Sequence, residues 1–355
     1  MNEVVLCTPL RVEQAALRAA APAMRVIRTG MGPRRAATTA ARLPSGPVLI
    51  AGVAAAQLPH IRPGDIVVAT EVRTASRSTA QSLPNSTALP NSTALPNSTA
   101  ERFSRPQTAL LSSSGSAARE ASPAGGVESP SAVLLAGALR RLGLRVHLGP
   151  ISSVARIARH PVGDGSVAVD MESAWLASGD RPFAVIRAIV DTPDHPLWHV
   201  GTLSRGITAL RALRACRPAL EWWAAAAGPR EMLLAAPGAL HAAGASGERD
   251  GEVLAIARQA DVVLVAGSAS SLGTRRLVEL ARRAGAPAYL IGEVSEIDLR
   301  WLTGRARLGV VADACAAPQL VEQIARCLSG LGRLTVRGSR PAGEDLTSAV
   351  LGEVN

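Results

Sequence analysis

Lysine is absent from this 355-residue sequence, so all 38 of its Lys+Arg residues are arginines. The absence excludes a Walker-type phosphate loop, a pyridoxal Schiff base and a lysine nucleophile, each of which needs a primary amine. Aromatic residues are nearly as scarce, with five Trp, one Tyr and two Phe. An extended base-stacking platform is therefore not expected, and the net charge of +10, with acids interspersed among the arginines, does not by itself indicate a nucleic-acid partner. The four cysteines, Cys7, Cys216, Cys315 and Cys327, form no C-x-x-C pair and no zinc spacing, which reads as a set of reduced, mostly buried thiols. No segment reaches the roughly 18 uninterrupted apolar residues that a membrane span needs. The opening MNEVVLCTPLRVEQ has an acid at Glu3 and only a short apolar run, unlike a secretory signal. Together these features lead us to expect a cytoplasmic protein without a membrane span.

Hydrophobic residues make up 47% of the chain, enough for two ordinary cores. Continuous apolar strand patterns (EVVLCTP, MRVIRTG, PVLIAGVA, DIVVATEV, RVHLGPI, SVAVDM, FAVIRAIVD) alternate with helical ones (EQAALRAAA, PRRAATTAARL, SAVLLAGALRRLG, ESAWLAS). A long helical region follows from about 202 to 227. This alternation predicts an α/β fold with a mostly parallel sheet covered by helices. A second, smaller α/β domain is expected from about Glu231, with strands EMLLAAP, DVVLVAGS, PAYLIG and LGVVAD among further helices. The expected domains are 1–228, 229–338 and a flexible tail, 339–355. Within the first, a unit repeated three times, LPNSTALPNSTALPNSTA, marks a low-complexity insertion over 76–130. Its Asn-Ser-Thr triplets match a glycosylation pattern, although simple repeat expansion accounts for them without a secretory signal.

In parallel α/β sheets ligands lie beyond the carboxyl ends of strands. The polar residues expected there are Glu13 after the first strand, the glycine turn TGMGPRRA after the second, Met171 and Glu172 after SVAV, and Asp191 after FAVIRAIV. A glycine turn leading into a helix can offer backbone N–H groups to an anion or a hydroxyl. Glu172 has the chemistry to accept two hydrogen bonds from a ribose diol, and Met171 offers an apolar sugar contact. Asp191, shielded at a strand end, suits a general acid with a raised pKa. Each has a plainer alternative: Asp170 as a helix cap or surface residue facing away, Glu172 as a solvated first-turn acid, Asp191 as turn chemistry before Thr-Pro. His195 and His199 are four apart, but Pro196 argues against a helical metal pair and no metal site is expected.

Glu13 in RVEQAALR, TGMGPRRAA, AGVAAAQLPHIRPGDIVVATE, VAVDMESAWLA and FAVIRAIVDTP stand in an order that resembles the nucleoside phosphorylase and methylthioadenosine/S-adenosylhomocysteine nucleosidase superfamily. Within it the sequence is similar to the hopanoid-associated nucleosidase-like branch, thought to cleave adenine from an adenosylated lipid. The resemblance implies a small-molecule purine nucleoside substrate and a possible homo-oligomer. It implies that Asp191 protonates the departing purine at N7, that Glu172 and Met171 hold the ribose, and that Glu13 orients or deprotonates water. In a phosphorylase, Gly30, Gly32 and Arg34 would cradle phosphate. The chain departs from the family where its Ala-Gly-Gly turn reads Ala54, Ala55, Ala56, and where the serine before the acid is Val190.

MLLAAPGALHAAGA, RQADVVLVAGSASSLGTRRLVELARRAGAPAYLIGEVSEI and LGVVADACAAPQLVEQ resemble the hydroxymethylbutenyl diphosphate reductase (LytB) family, an iron–sulfur enzyme of isoprenoid biosynthesis. The middle of that family is missing. Its first cluster cysteine falls in ALHAAG, around His241, and its diphosphate-binding Ser-Ser-Asn becomes Ser271, Leu272, Gly273. The resemblance thus implies a truncated domain with no 4Fe-4S cluster, no other cofactor and no reductase activity. Ser268, Ser271 and Thr274 remain as a residual diphosphate contact or as an ordinary helix cap.

Overall fold

In the computed structural model the described residues are 3–18, 24–75, 126–156, 163–177, 181–194, 201–235, 246–314, 316 and 318–338. His195, His199, His241, Cys315, the triple repeat and the tail lie outside them.

Two sheets organise these residues. The first is built from β1 (Val5–Thr8), β2 (Arg25–Arg28), β3 (Val48–Ala56), β4 (Ile66–Thr74), β5 (Val127–Glu128), β6 (Val146–Ser153), β7 (Ala168–Asp170) and β8 (Phe183–Asp191). Strands β1, β2 and β3 pair in parallel. From β3 the sheet closes on itself through β7, β6, β4 and β8. The pairings β3–β8, β4–β6 and β6–β7 are parallel, whereas β3–β7 and β4–β8 are antiparallel. The expected, mostly parallel sheet is present, and the antiparallel pairs within it let it close on itself. Closure leaves few free edges and requires strands of opposite sense to meet, which the apolar run of a single strand does not reveal.

Side chains of β3 alternate between two cores: Leu49 and Ala51 join one cluster, Val48 and Ile50 the other. The first is covered by α1 (Arg11–Arg18), α3 (Ala132–Arg141), α5 (Thr202–Ala215) and α6 (Arg217–Ala226), and the second by α2 (Pro33–Ala40) and α4 (Ser173–Leu176). Pro218, in the first turn of α6, is compatible with a helix start because its missing N–H would have no intrahelical partner there.

The second sheet is wholly parallel, in the order β11 (Ala288–Ile291), β10 (Val262–Ala266), β12 (Arg307–Ala312), β9 (Arg230–Leu234), β13 (Leu334–Gly338). Its helices are α7 (Ser246–Gln259), α8 (Leu272–Arg283), α9 (Leu299–Leu302) and α10 (Pro318–Ser329), with a 3-10 turn at Val294–Glu296. Strand β13 went unread in the sequence because LTVRG is short and half polar.

The insertion ends earlier than expected. Residues 127–128 form β5 against β4, and buried Ser129 donates from its backbone to Thr70 and from Oγ to the Phe183 carbonyl, 2.8 and 3.3 Å away. The two sheets share one apolar core. Helix α3 sits at their junction, where Arg141 donates to the carbonyls of Ser295 and Ile297 at 3.2 and 3.0 Å.

Candidate functional site

Strand β8 reads FAVIRAIVD and is buried through its first eight residues, so Arg187 carries a guanidinium into the interior with none of its surface exposed. A buried charge needs partners of opposite sign. Arg187 Nη2 lies 2.5 Å from Asp170 Oδ2, 3.6 Å from Glu172 Oε2 and 2.9 Å from the Ser173 hydroxyl to which it donates. Its Nε and Nη1 have no hydrogen-bond partner among the described residues.

Asp170 corrects one expectation. Far from facing solvent, it is 5% exposed at the end of β7. Its Oδ1 accepts from the Ser153 hydroxyl at 2.5 Å and from the backbone N–H groups of Glu172 and Ser173 at 3.3 Å each; its Oδ2 accepts from Ser173 Oγ. It does act as a cap at the start of α4, but a buried one tied to Arg187.

Glu172 is 3% exposed, contrary to a solvated first-turn acid, and its Oε1 accepts from the Gly32 N–H at 2.9 Å. Gly30 and Gly32 have φ of +79° and +94°, a left-handed geometry that glycine adopts without a Cβ clash. Their turn delivers the N–H at the head of α2 to a carboxylate of the same chain, as helix termini favour. Burial raises the Glu172 pKa to about 7; Arg187 opposes the shift and Asp170 reinforces it.

Glu13, fully buried in the first turn of α1, accepts at Oε2 from the Leu10 N–H (2.7 Å) and at Oε1 from the Val53 N–H (2.8 Å). Burial raises its pKa, and the charge of Arg187 works against that rise. Gly52, in register with Arg187, makes room for both: a Cβ there would collide with Arg187 Nη1 and lie 3.0 Å from Glu13 Oε1.

Asp191 ends β8 opposite Ala55, next to a bulge between Ala54 and Ala55. It is half-buried, its Oδ1 has no hydrogen-bond partner among the described residues, and burial pushes its pKa up to about 6 against the lowering influence of Arg205. A carboxyl of that kind can hold and release a proton near neutral pH.

The structure thus gathers Glu13, Glu172 and Gly32 around Arg187. Met171 is half-buried between the two acids, and Asp191 occupies the end of the arginine's strand. Arg34 is exposed on α2, and the Gly32 N–H that was expected to meet phosphate is engaged by Glu172. Sequence reasoning missed Arg187, and with it the pairing of Asp170 to that arginine. The available signal was an arginine in the middle of an otherwise continuous apolar strand.

At the carboxyl edge of the second sheet, Ser271 and Thr274 hydroxyls both donate to Asp313 Oδ2 at 2.7 Å, and Ser271 Oγ accepts from the Thr274 N–H at 3.2 Å. Ser268 is exposed and bonds to Ser270, 2.8 Å away. The helix-cap reading fits this arrangement. Asp313 also places a carboxylate where an anion would need to approach.

An iron–sulfur cluster requires thiolates converging on one point. Cys7 lies in β1, Cys216 between α5 and α6, and Cys327 in α10; burial pushes their thiols up to about 12, 12 and 11, which keeps them protonated. Among the described residues no group of three or more His, Cys, Asp or Glu side chains is placed to hold a metal ion. These residues do not fit a cluster. No helix among the described residues is long and apolar enough to cross a membrane.

The family model described as LytB protein matches residues 243–329. The 4-hydroxy-3-methylbut-2-enyl diphosphate reductase 1 of Mycobacterium tuberculosis is 49% identical over 78 residues, covering 22% of this chain and 24% of the relative. The reductase of Edwardsiella ictaluri is 49% identical over 88 residues, 25% of this chain and 28% of the relative. The chain thus spans about a quarter of the length of these curated relatives. Among solved structures, a Helicobacter pylori 5'-methylthioadenosine/S-adenosyl homocysteine nucleosidase is similar at a TM-score of 0.42 and 13% identity, covering 62% of this chain and 96% of that one. The Neisseria meningitidis nucleosidase has a TM-score of 0.41 and 18% identity, covering 62% of this chain and 97% of that one.

Proposed function

We propose that the first sheet and its helices form a purine nucleoside-cleaving unit acting on an adenosine-type substrate, joined to a LytB-like domain that has lost its reductase chemistry. The observation that carries this reading is the group of buried carboxylates around Arg187 combined with a half-buried Asp191 whose pKa is about 6. N-glycosidic cleavage needs a proton for the leaving base and negative charge near a developing oxocarbenium ion. Asp191 supplies the first by protonating the base nitrogen. Glu172 and Met171 hold the sugar, and Glu13 with Glu172 supplies the second. The attacking nucleophile, water or phosphate, adds at the anomeric carbon as the carbon–nitrogen bond breaks and the base leaves neutral.

The experiment is adenine release from methylthioadenosine, S-adenosylhomocysteine and an adenosylated lipid, each with and without phosphate. Turnover that disappears in Asp191→Asn supports the assignment, and turnover that survives it removes Asp191 from the acid's role. A second reading is favoured by Glu13, whose two oxygens both accept backbone hydrogen bonds within a fully buried site. On that reading the fusion binds or assembles without catalysis. Nucleoside binding without release of base by the wild-type chain would select it.

A further inference from the structure

Helices α1 and α5 pack side by side on the first sheet, α1 over β1, β2 and β3 and α5 over β3 and β8. Their outward surface carries three of the five large hydrophobic side chains that are exposed among the described residues: Val12 at 55%, Leu203 at 78% and Ile207 at 43%. The three belong to one patch. Gln14 Nε2 and Arg18 Nη2 both donate to the Val26 carbonyl, at 3.3 and 3.4 Å, so that flank of α1 faces β2. Val12 lies on the other flank, towards α5. On α5, Thr208 faces the turn into β4, where its Cγ2 is 2.8 Å from the position of a Cβ on Gly64. Leu203, Ile207 and Leu210, spaced by four and three residues, form a stripe away from that contact and towards α1.

Charge around the patch has one sign. Exposed arginines frame it, Arg11 and Arg18 on α1 and Arg211 and Arg214 on α5. Glu13, the one acid of α1, is fully buried, and α5 contains no acid. Asp194, between β8 and α5, is exposed but lies outside both helices. Two-fold self-association through this face would set the arginines of each copy against those of the other, with no carboxylate on either helix to offset them. A nucleic acid would match the charge but leave Leu203 and Ile207 without apolar cover. An anionic bilayer answers both features. Aliphatic side chains enter the boundary between headgroups and acyl chains, while arginine stems lie along it and hold their guanidinium groups at the phosphates.

We infer that the α1–α5 face docks on an anionic phospholipid surface, with Val12, Leu203 and Ile207 inserted and Arg11, Arg211 and Arg214 on the headgroups. The docking does not depend on the nucleoside reading, although Val12 adjoins Glu13 in the first turn of α1 and a docked bilayer lies beside that site.

The test is co-sedimentation of the full chain with vesicles of phosphatidylcholine alone and of phosphatidylcholine and phosphatidylglycerol in equal parts, at low and at high salt. The wild type should sediment with the anionic vesicles and only weakly with the neutral ones, and salt should weaken the binding. Partitioning should fall tenfold or more in Leu203→Ser/Ile207→Ser, and Arg211→Gln/Arg214→Gln should lose most of the preference for anionic vesicles. All four side chains are exposed, so an unchanged thermal midpoint is expected and separates lost docking from lost folding. Leu272→Ser, at an exposed leucine of α8 in the second sheet's domain, should bind as the wild type does. Absence of binding to anionic vesicles, or equal binding by Leu203→Ser/Ile207→Ser, would overturn the inference. A dimer that sediments with neither vesicle and becomes monomeric in Leu203→Ser/Ile207→Ser would overturn it in favour of a second copy of the chain.

Discussion

Arg187 and Asp170 face each other at 2.5 Å in the closed sheet, the arginine side chain with no exposed surface and the aspartate with 1%. Because the pair links the middle of β8 to the end of β7, it couples the strand carrying Asp191 to the turn carrying Glu172. The geometry of the candidate site therefore depends on this pair.

Replacing Arg187 with methionine keeps much of the volume and removes the charge. Three buried carboxylates would then lack their shared cation, and removing one partner of a buried ion pair typically costs about 3–5 kcal/mol. Urea unfolding of Arg187→Met should show a loss of that order. The loss should shrink in the double variant Arg187→Met/Asp170→Asn, in which one orphaned charge is also gone.

Gly52→Ala tests packing at the same point. The added methyl would collide with Arg187 Nη1 and press on Glu13 Oε1. Overpacking of this kind typically costs about 1–3 kcal/mol. On the proposed mechanism, base release should fall more steeply than the thermal midpoint, because the atoms displaced belong to the candidate site.

The acids also set a pH dependence. Burial raises Asp191 from 3.8 to about 6 and Glu172 from 4.5 to about 7. The folded chain thus holds these protons more tightly than the unfolded one. Their stabilising contribution is fully present below the unfolded values and is lost as pH rises through the folded ones. The thermal midpoint of the wild type should decline from about pH 4 to 7 relative to Glu172→Gln, which has no carboxyl to ionise at that position. On the proposed mechanism, kcat/KM should fall above about pH 6 as Asp191 loses the proton it must donate. A pH–rate profile without a descending limb would argue against that role.

Much of this was legible in sequence because it is local. Apolar runs marked β1, β3 and β8, the glycines of TGMG marked a turn leading into a helix, and a run of small polar residues marked the insertion. What was not legible depends on distant pairings. Closure brings the antiparallel β3–β7 and β4–β8 pairs together, and only then does Asp170 meet Arg187. Alternation along β7 alone places Asp170 on the side away from Met171; the turn at Met171–Glu172 brings both carboxylates to one guanidinium. At the second sheet, Asp313 could not be linked with Ser271 and Thr274 from a separation of about forty residues, although all three meet at one carboxylate.

The junction between the sheets gives a prediction whose sign separates packing from propensity. Gly137 lies inside α3, where replacing glycine by alanine in an open position should stabilise the helix by about 1 kcal/mol. Its missing Cβ, however, faces the Ser295 carbonyl, with only 2.5 Å between that oxygen and the position a methyl would occupy. The oxygen belongs to the backbone and is held by Arg141, so it cannot yield as a flexible side chain would. Gly206, within α5, has nothing within 4 Å of the corresponding position. Gly206→Ala should therefore raise the thermal midpoint and Gly137→Ala should lower it, despite identical chemistry. If the second sheet packs on α3 only loosely, both substitutions will stabilise, and the shared core would have to be abandoned as the reason the two parts stay together.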